Sequence, residues 1–167
     1  MIGFDYHADM VDEATRAAVR ERVVAGGFER FEIADRGRYE LSGAHGEAEL
    51  TETLIALAER QLGVGLAAVA QRWTRLRRGD YALFKDDQRR WTGPGVEVCV
   101  DVSAAASQEG QIVYAAPDGG ATVPQRPGGV AIVDRRRPMA RYERYLGVRF
   151  ADGEIVRLAL ALTVCQR

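Results

Sequence analysis

The chain has 167 residues and a net charge of -1; 47% of its residues are apolar and 28% charged. That length suits one domain over residues 1–167, able to bury roughly 70% of its unfolded surface. The composition excludes collagen-like and disordered chains, and the balanced charge gives no global pull toward nucleic acid or an anionic membrane. No segment reaches the length of a membrane span, and the N-terminus lacks the basic and apolar regions of a signal peptide, so a cytoplasmic protein without a membrane partner is expected. Cys99 and Cys165 are far apart and lack metal-ligand spacing, which suits free thiols in a reducing compartment. Lys85 is the only lysine in a chain whose basic residues are otherwise arginine.

In chain order, a first helix is predicted from near Asp9, with Asp9 as its cap, Asp12 or Glu13 at its positive end and Gly26-Gly27 as its stop. Phe28 to Ala34 and Arg38 to Leu41 read as two extended pieces around Asp35-Arg-Gly37. A second helix, Glu47 to Gln61, turns Leu50, Leu54, Leu57 and Ala58 inward and ends at Gly63. From Leu66 the pattern is all β. Leu66 to Arg77 is a long strand that holds Trp73, and Gly79-Asp80 makes a turn. Tyr81 to Lys85 is predicted as the next strand, followed by a polar loop from Asp86 to Gly95. Strand alternation then places Tyr81, Leu83, Lys85 and Asp87 on one face.

Val96, Val98, Val100 and Val102 alternate with Glu97, Cys99 and Asp101, the pattern of a half-buried strand. Gln111 to Ala115 and Ala121 to Val123 flank Pro117-Asp-Gly-Gly120, a hairpin signal. Val130 to Val133 is a short apolar strand. Arg141 to Phe150 and Glu154 to Cys165 read as a last hairpin around Asp152-Gly153. In the final strand Val156, Leu158, Leu160, Leu162 and Val164 share one face. The other face carries Ile155, Arg157, Ala159, Ala161, Thr163 and Cys165, which fits either a cavity wall or an exposed edge. The whole is expected to be mainly β with N-terminal helices (α+β), a double-stranded β-helix or jelly roll. Residues 1–65 would form a helical support and residues 66–167 the jelly-roll core.

Several motifs follow one another in a telling order: Gly79-Asp80-Tyr81, Gly110-Gln-Ile-Val113, the turn from Pro124 to Gly129, Met139-Ala-Arg-Tyr-Glu-Arg-Tyr145, and Arg157-Leu-Ala-Leu160. On these the chain resembles the iron(II)/2-oxoglutarate-dependent dioxygenases, in their prolyl-hydroxylase-like branch, from Leu50 to Val164. The resemblance places the first metal histidine on Lys85 and the metal carboxylate on Asp87. The distal histidine falls on Ala140, or on Arg141 if the register slips by one, and the co-substrate arginine on Arg157. The facial triad needs two histidines and a carboxylate. A lysine ammonium has donors and no lone pair, and Ala140 has no ligand atom.

The implied protein is therefore a relative that lacks the metal site and needs no cofactor, with no catalytic residue assigned. It would bind a small organic anion or a protein partner, using Tyr81, Lys85, Asp87, Ala140, Arg141 and Arg157 as pocket candidates. Lys85 would pair with Asp87, either as a plain internal salt bridge or, together with Arg157, as an anion site. The alternative is an active oxygenase with a rearranged site, Fe(II) and 2-oxoglutarate as cofactors and Asp87 as a ligand. A third reading is a polyanion-binding module built on the arginine clusters, although nucleic acid is disfavoured by the charge. A homodimer through sheet edges is a further expectation.

Two decoys are set aside. His7-Ala-Asp9, with His45, has the right ligand types, but the pair sits where a helix start is predicted. Gly63-Val-Gly65 follows a helix and precedes a strand, the reverse of a dinucleotide fingerprint.

Overall fold

The computed structural model describes residues 3–42, 47–91, 93–147, 150 and 153–165. Among them lie eleven strands and three helices. In chain order these are β1 (Phe4–His7), α1 (Glu13–Ala25), β2 (Glu29–Ile33), β3 (Gly37–Ser42), α2 (Ala48–Leu62), β4 (Leu66–Leu76), β5 (Tyr81–Ala82) and α3 (Phe84–Arg90). They are followed by β6 (Val96–Asp101), β7 (Ile112–Ala116), β8 (Gly119–Val123), β9 (Val130–Asp134), β10 (Ala140–Glu143) and β11 (Ile155–Val164). The strands form one antiparallel sheet in the order β1-β9-β6-β11-β4-β3-β5-β10-β7-β8, with β2 added on β3.

The sheet curls on itself as a jelly roll, and side-chain contacts show it. Arg141 on β10 reaches Glu97 on β6, and Tyr114 on β7 lies 3.5 Å from Cys99 on β6, although neither pair of strands is adjacent. The β10-β7 half therefore faces the β11-β6 half across an interior. The outer face of the β4-β11-β6-β9 half carries the main apolar core. Leu158, Leu160, Leu162, Val98, Val100, Ile132 and Trp73 pack there under Val19 and Val23 of α1 and Leu54 and Ala58 of α2.

Most predicted elements are present. α2 buries Leu50, Leu54, Leu57 and Ala58 and ends at Gly63, whose left-handed backbone (φ 67°) closes the helix through a bond to the Glu59 carbonyl. The hairpin around Pro117-Asp118 joins β7 to β8.

Five expectations are corrected. α1 starts later than predicted: Asp12 is its cap, accepting from the Thr15 amide at 2.9 Å, while Asp9 sits in a turn and takes a bond from Arg126. An unforeseen strand, β1, places His7 on the sheet and not at a helix start. β10 stops at Glu143 and pairs with β7 and β5, so it forms no hairpin with β11; Asp152, in the predicted turn, lies outside the described residues. β6 is buried along both faces, because the interior of the curled sheet replaces the solvent that a half-buried strand would meet.

The largest correction concerns Tyr81 to Lys85. The strand ends at Ala82, Leu83 is still extended, and Phe84–Arg90 is a helix. Its sequence suits that state: it has no β-branched residue, acids stand in the first turn and arginines in the last, as the helix dipole favours.

Candidate functional site

Cross-strand register assigns the interior positions. Ala70 lies opposite Ala161 and Ala161 opposite Glu97; Arg72 opposite Ala159 and Ala159 opposite Cys99; Thr74 opposite Arg157 and Arg157 opposite Asp101. Residues directly opposite share a face, so these three rows line the interior. The face of β11 that carries Arg157, Ala159 and Ala161 is thus an internal wall, and its exposed-edge reading is overturned, since Arg157 is buried.

Into this wall fits an unbroken chain of alternating charge. Arg135 holds Asp87 with both terminal nitrogens, at 2.9 and 2.5 Å, and reaches Glu97 at 2.5 Å. Arg141 forms an ion pair with Glu97, its Nε 2.9 Å from the carboxylate while that N–H donates to the Tyr114 hydroxyl, and its Nη2 donates to Glu143 at 2.9 Å. Arg157 then joins Glu143 at 3.2 Å and Asp101 at 3.4 Å. No member of the chain is more than 7% exposed. Arg157 also donates to the carbonyl of Gly110. Gly110 has a left-handed backbone (φ 74°), and a side chain there would run into Ile155 and Leu146.

Burial opposes the charge on Glu97, but Arg141 and Arg135 outweigh it and hold the carboxyl below its ordinary range. Glu143 is likewise opposed by burial and held low by Arg141 and Arg157. On Cys99 burial again opposes the charged form and here prevails, so the thiol is pushed up to about 12 and is inert.

Helix α3 divides the charges at one end of the interior. Asp87 faces Arg135, while its neighbour Asp86, about 100° round the helix, takes bonds from Arg36, Arg90 and the Tyr39 hydroxyl. Lys85 points outward and meets the exposed Asp35 at 3.2 Å. The predicted Lys85–Asp87 pair therefore does not form, because a helix does not put residues i and i+2 on one face as a strand does. Lys85 and Arg157 do not converge either. Tyr81 is half-buried and stacks near Tyr145, with ring centres 6.3 Å apart, and Ala140 sits at the start of β10 opposite Ala115. Of the expected site residues, Asp87, Arg141 and Arg157 are brought into the charge chain, and Tyr81, Lys85 and Ala140 are not.

Beside the chain lies a cavity of about 550 Å³, bordered by Ala70, Arg72, Ala159 and Ala161 from β4 and β11, by Glu97 and Arg135, and by Asp87 and Arg89 to Trp91 at the end of α3. Arg135 lies over the Trp91 ring, 4.1 Å from its centre, and the two residues with Asp87 also border a second cavity of about 530 Å³. Sequence reasoning missed Arg135, Glu97, Glu143, Asp101 and Arg72. The available signal was charge within near-continuous apolar runs, as in Val96-Glu-Val-Cys-Val-Asp101.

No group of three or more His, Cys, Asp or Glu residues among the described residues is placed to hold a metal ion. His7 lies on the edge strand β1, 3.0 Å from Asp5, and His45 lies outside the described residues. Several arginines of the clusters are held in intramolecular pairs: Arg75 by Glu40, Arg90 by Asp86 and, at the surface, Arg136 by Asp134. No described helix is long and apolar enough to cross a membrane.

No model of a known protein family matches the chain, and no curated protein matches it in sequence. Solved structures match it over nearly its whole length. A prolyl-4-hydroxylase from Pseudomonas putida shares 13% identity over 98% of this chain and 94% of its own, with a TM-score of 0.68. The viral collagen prolyl hydroxylase of Paramecium Bursaria Chlorella virus-1, solved as its 2-oxoglutarate complex, shares 9% identity over 95% of this chain and 94% of its own, with a TM-score of 0.70. A 2-oxoglutarate-Fe(II) oxygenase family oxidoreductase from Burkholderia pseudomallei shares 11% identity over 96% of this chain and 85% of its own, also at 0.70. At such identities the likeness is one of fold.

Proposed function

From the fold that it has in common with the prolyl hydroxylases, we propose that this chain keeps the oxygenase scaffold without the oxygenase reaction and serves to bind a small organic anion. The observation that carries this reading is Arg135 seated on Asp87. Asp87, the carboxylate expected from the motif order to hold iron, stands on α3 and not on a strand, and both of its oxygens are occupied by a guanidinium. An arginine offers only donors and a fixed positive charge, so it competes with a cation for that carboxylate and supplies no ligand itself. Glu97, Glu143 and Asp101 are engaged by arginines in the same way. The residues present therefore do not fit an Fe(II) centre. Arg157, at the expected co-substrate position, has its nitrogens committed to Glu143, Asp101 and Gly110.

Anion binding is supported instead by the cavity, whose wall combines small apolar residues with Arg72 and Arg89. Anaerobic Fe(II) titration with and without 2-oxoglutarate tests the proposal. The expected result is no visible charge-transfer band and no thermal shift from iron. A band that saturates at one iron per chain would overturn it.

A further inference from the structure

Arg72 keeps a buried Nε with no hydrogen-bond partner, and its charge acts on Glu97 and Glu143 without a direct ion pair among the described residues. Arg135, on the same cavity wall, also keeps a buried Nε without an acceptor, although its terminal nitrogens are satisfied and its plane rests on Trp91. Burying a guanidinium donor with nothing to receive it is costly, and native interiors seldom leave such a group unpaired. Around Arg72 the wall is cut back to alanine: Ala159 lies directly opposite it, and Ala161 pairs with Ala70 in the adjoining row. Side chains that could have filled the space are absent where a buried, unpartnered guanidinium N–H borders it.

The neighbours restrict what can fill that space. Arg135 is committed to Asp87 and Glu97, and Arg90 to Asp86. Asp87 and Glu97 border the same cavity, so a second negative group on a ligand would meet carboxylates. One anionic head is matched, and Ala70, Ala159, Ala161, Leu41 and Trp91 give the same cavity an apolar stretch for the rest of a ligand.

We propose that this cavity is a binding site for an organic monocarboxylate with an apolar body, the carboxylate accepting from Arg72 and the body lying over Ala70, Ala159 and Ala161 beside Trp91. The assignment rests on the reading of the interior as an anion site and not an iron centre. Arg89, exposed at the rim, draws the anion in, so binding weakens as salt is raised.

The chain has two tryptophans, and Trp73 is sealed in the helix-side core, so fluorescence changes on ligand addition report Trp91. Phenylacetate is the probe, with succinate and inorganic phosphate as competitors of different charge and shape, and calorimetry as the second readout. Saturable quenching by phenylacetate is expected, with succinate and phosphate weaker by about tenfold or more, since each loses the apolar contacts or adds charge beside Asp87 and Glu97. Arg72→Gln is expected to weaken phenylacetate by about tenfold or more, the usual cost of removing a charged hydrogen-bond partner. Ala161→Leu, which fills the floor and leaves every charge in place, is expected to abolish binding. Three results overturn the site: no phenylacetate binding by either method, succinate bound as tightly as phenylacetate, or undiminished affinity in Ala161→Leu. If Arg72→Gln lowers the unfolding midpoint, the Ala161→Leu result decides. Iron loading of the same preparation would instead sink the underlying reading, and the two failures are separately visible.

Discussion

The two faces of β11 are built from opposite materials. On one, Val156, Leu158, Leu160 and Leu162 meet α1 and α2 in a core without a charge; on the other, Arg157 stands in a row of buried ion pairs beside two alanines that front a cavity. Arg157 is buried as deeply as the leucines behind it, so burial alone does not separate the charged row from the apolar core. What separates them is cost. Apolar burial is favourable wherever the parts fit, whereas each charge in the interior is tolerable only while its partners are in place. The helix-side face explains why the chain folds. The interior face is stable as a set and fragile as individuals, the condition under which a site can be built or lost by single substitutions.

The sharpest way to break that contrast is Arg135→Met. It leaves Asp87 and Glu97 buried beside an apolar side chain, and the loss of stability should be about 3–5 kcal/mol, the range for removing one member of a buried ionic set. Chemical denaturation measures it. Leu158→Ala, on the other face, should cost about 3 kcal/mol through lost contacts and the cavity left behind. The two variants should part company with pH: Leu158→Ala should shift the whole stability profile downward without changing its shape.

That shape follows from Glu97 and Glu143. Both are held below the ordinary glutamate value of 4.5 by their arginines, against the opposing effect of burial. A carboxyl lowered on folding adds stability that is fully present above its unfolded value and is lost as pH falls through its folded value. The unfolding midpoint should therefore be flat near neutrality and fall progressively below about pH 4.5. Glu143→Gln should be less stable at pH 7 and show a shallower acid limb. A variant that lost stability at pH 7 yet kept the full acid limb would place that limb on other carboxylates.

How much of this was legible in the sequence follows the same division. The helix-side core was open to reading because α2 and β11 announce themselves by period, Leu50, Leu54, Leu57 at helical spacing and Val156 to Val164 at strand spacing. The motif order from Gly79 to Arg157 carried the fold as well. The interior was much less open. β6 reads as a half-buried strand because Glu97 and Asp101 look like solvent-facing residues, and nothing local to them reveals that Arg135, 38 residues on, and Arg157, 56 residues on, will meet them. Charge pairing across a curled sheet is a long-range fact. Helix α3 was a different failure: its acid-first, arginine-last order was visible, and a strand motif borrowed from relatives overrode it.

Lys85 provides the smallest predicted effect and an exacting test of the corrected helix. As the only lysine, placed in the metal motif, it drew attention in the sequence. On a strand it would point inward with Asp87, and its removal would expose a buried carboxylate to an unpaired interior. On α3 it lies outside, 55% exposed and bridged to an equally solvated Asp35, so Lys85→Ala should change stability by less than about 0.5 kcal/mol. Asp87→Asn in parallel should be several times more damaging, because it strips Arg135 of a bidentate partner. Equal losses from the two substitutions would return Lys85 to the interior and Tyr81 to Asp87 to a strand; a clear gap between them fixes the guanidinium of Arg135, and not the ammonium of Lys85, as the cation that occupies Asp87.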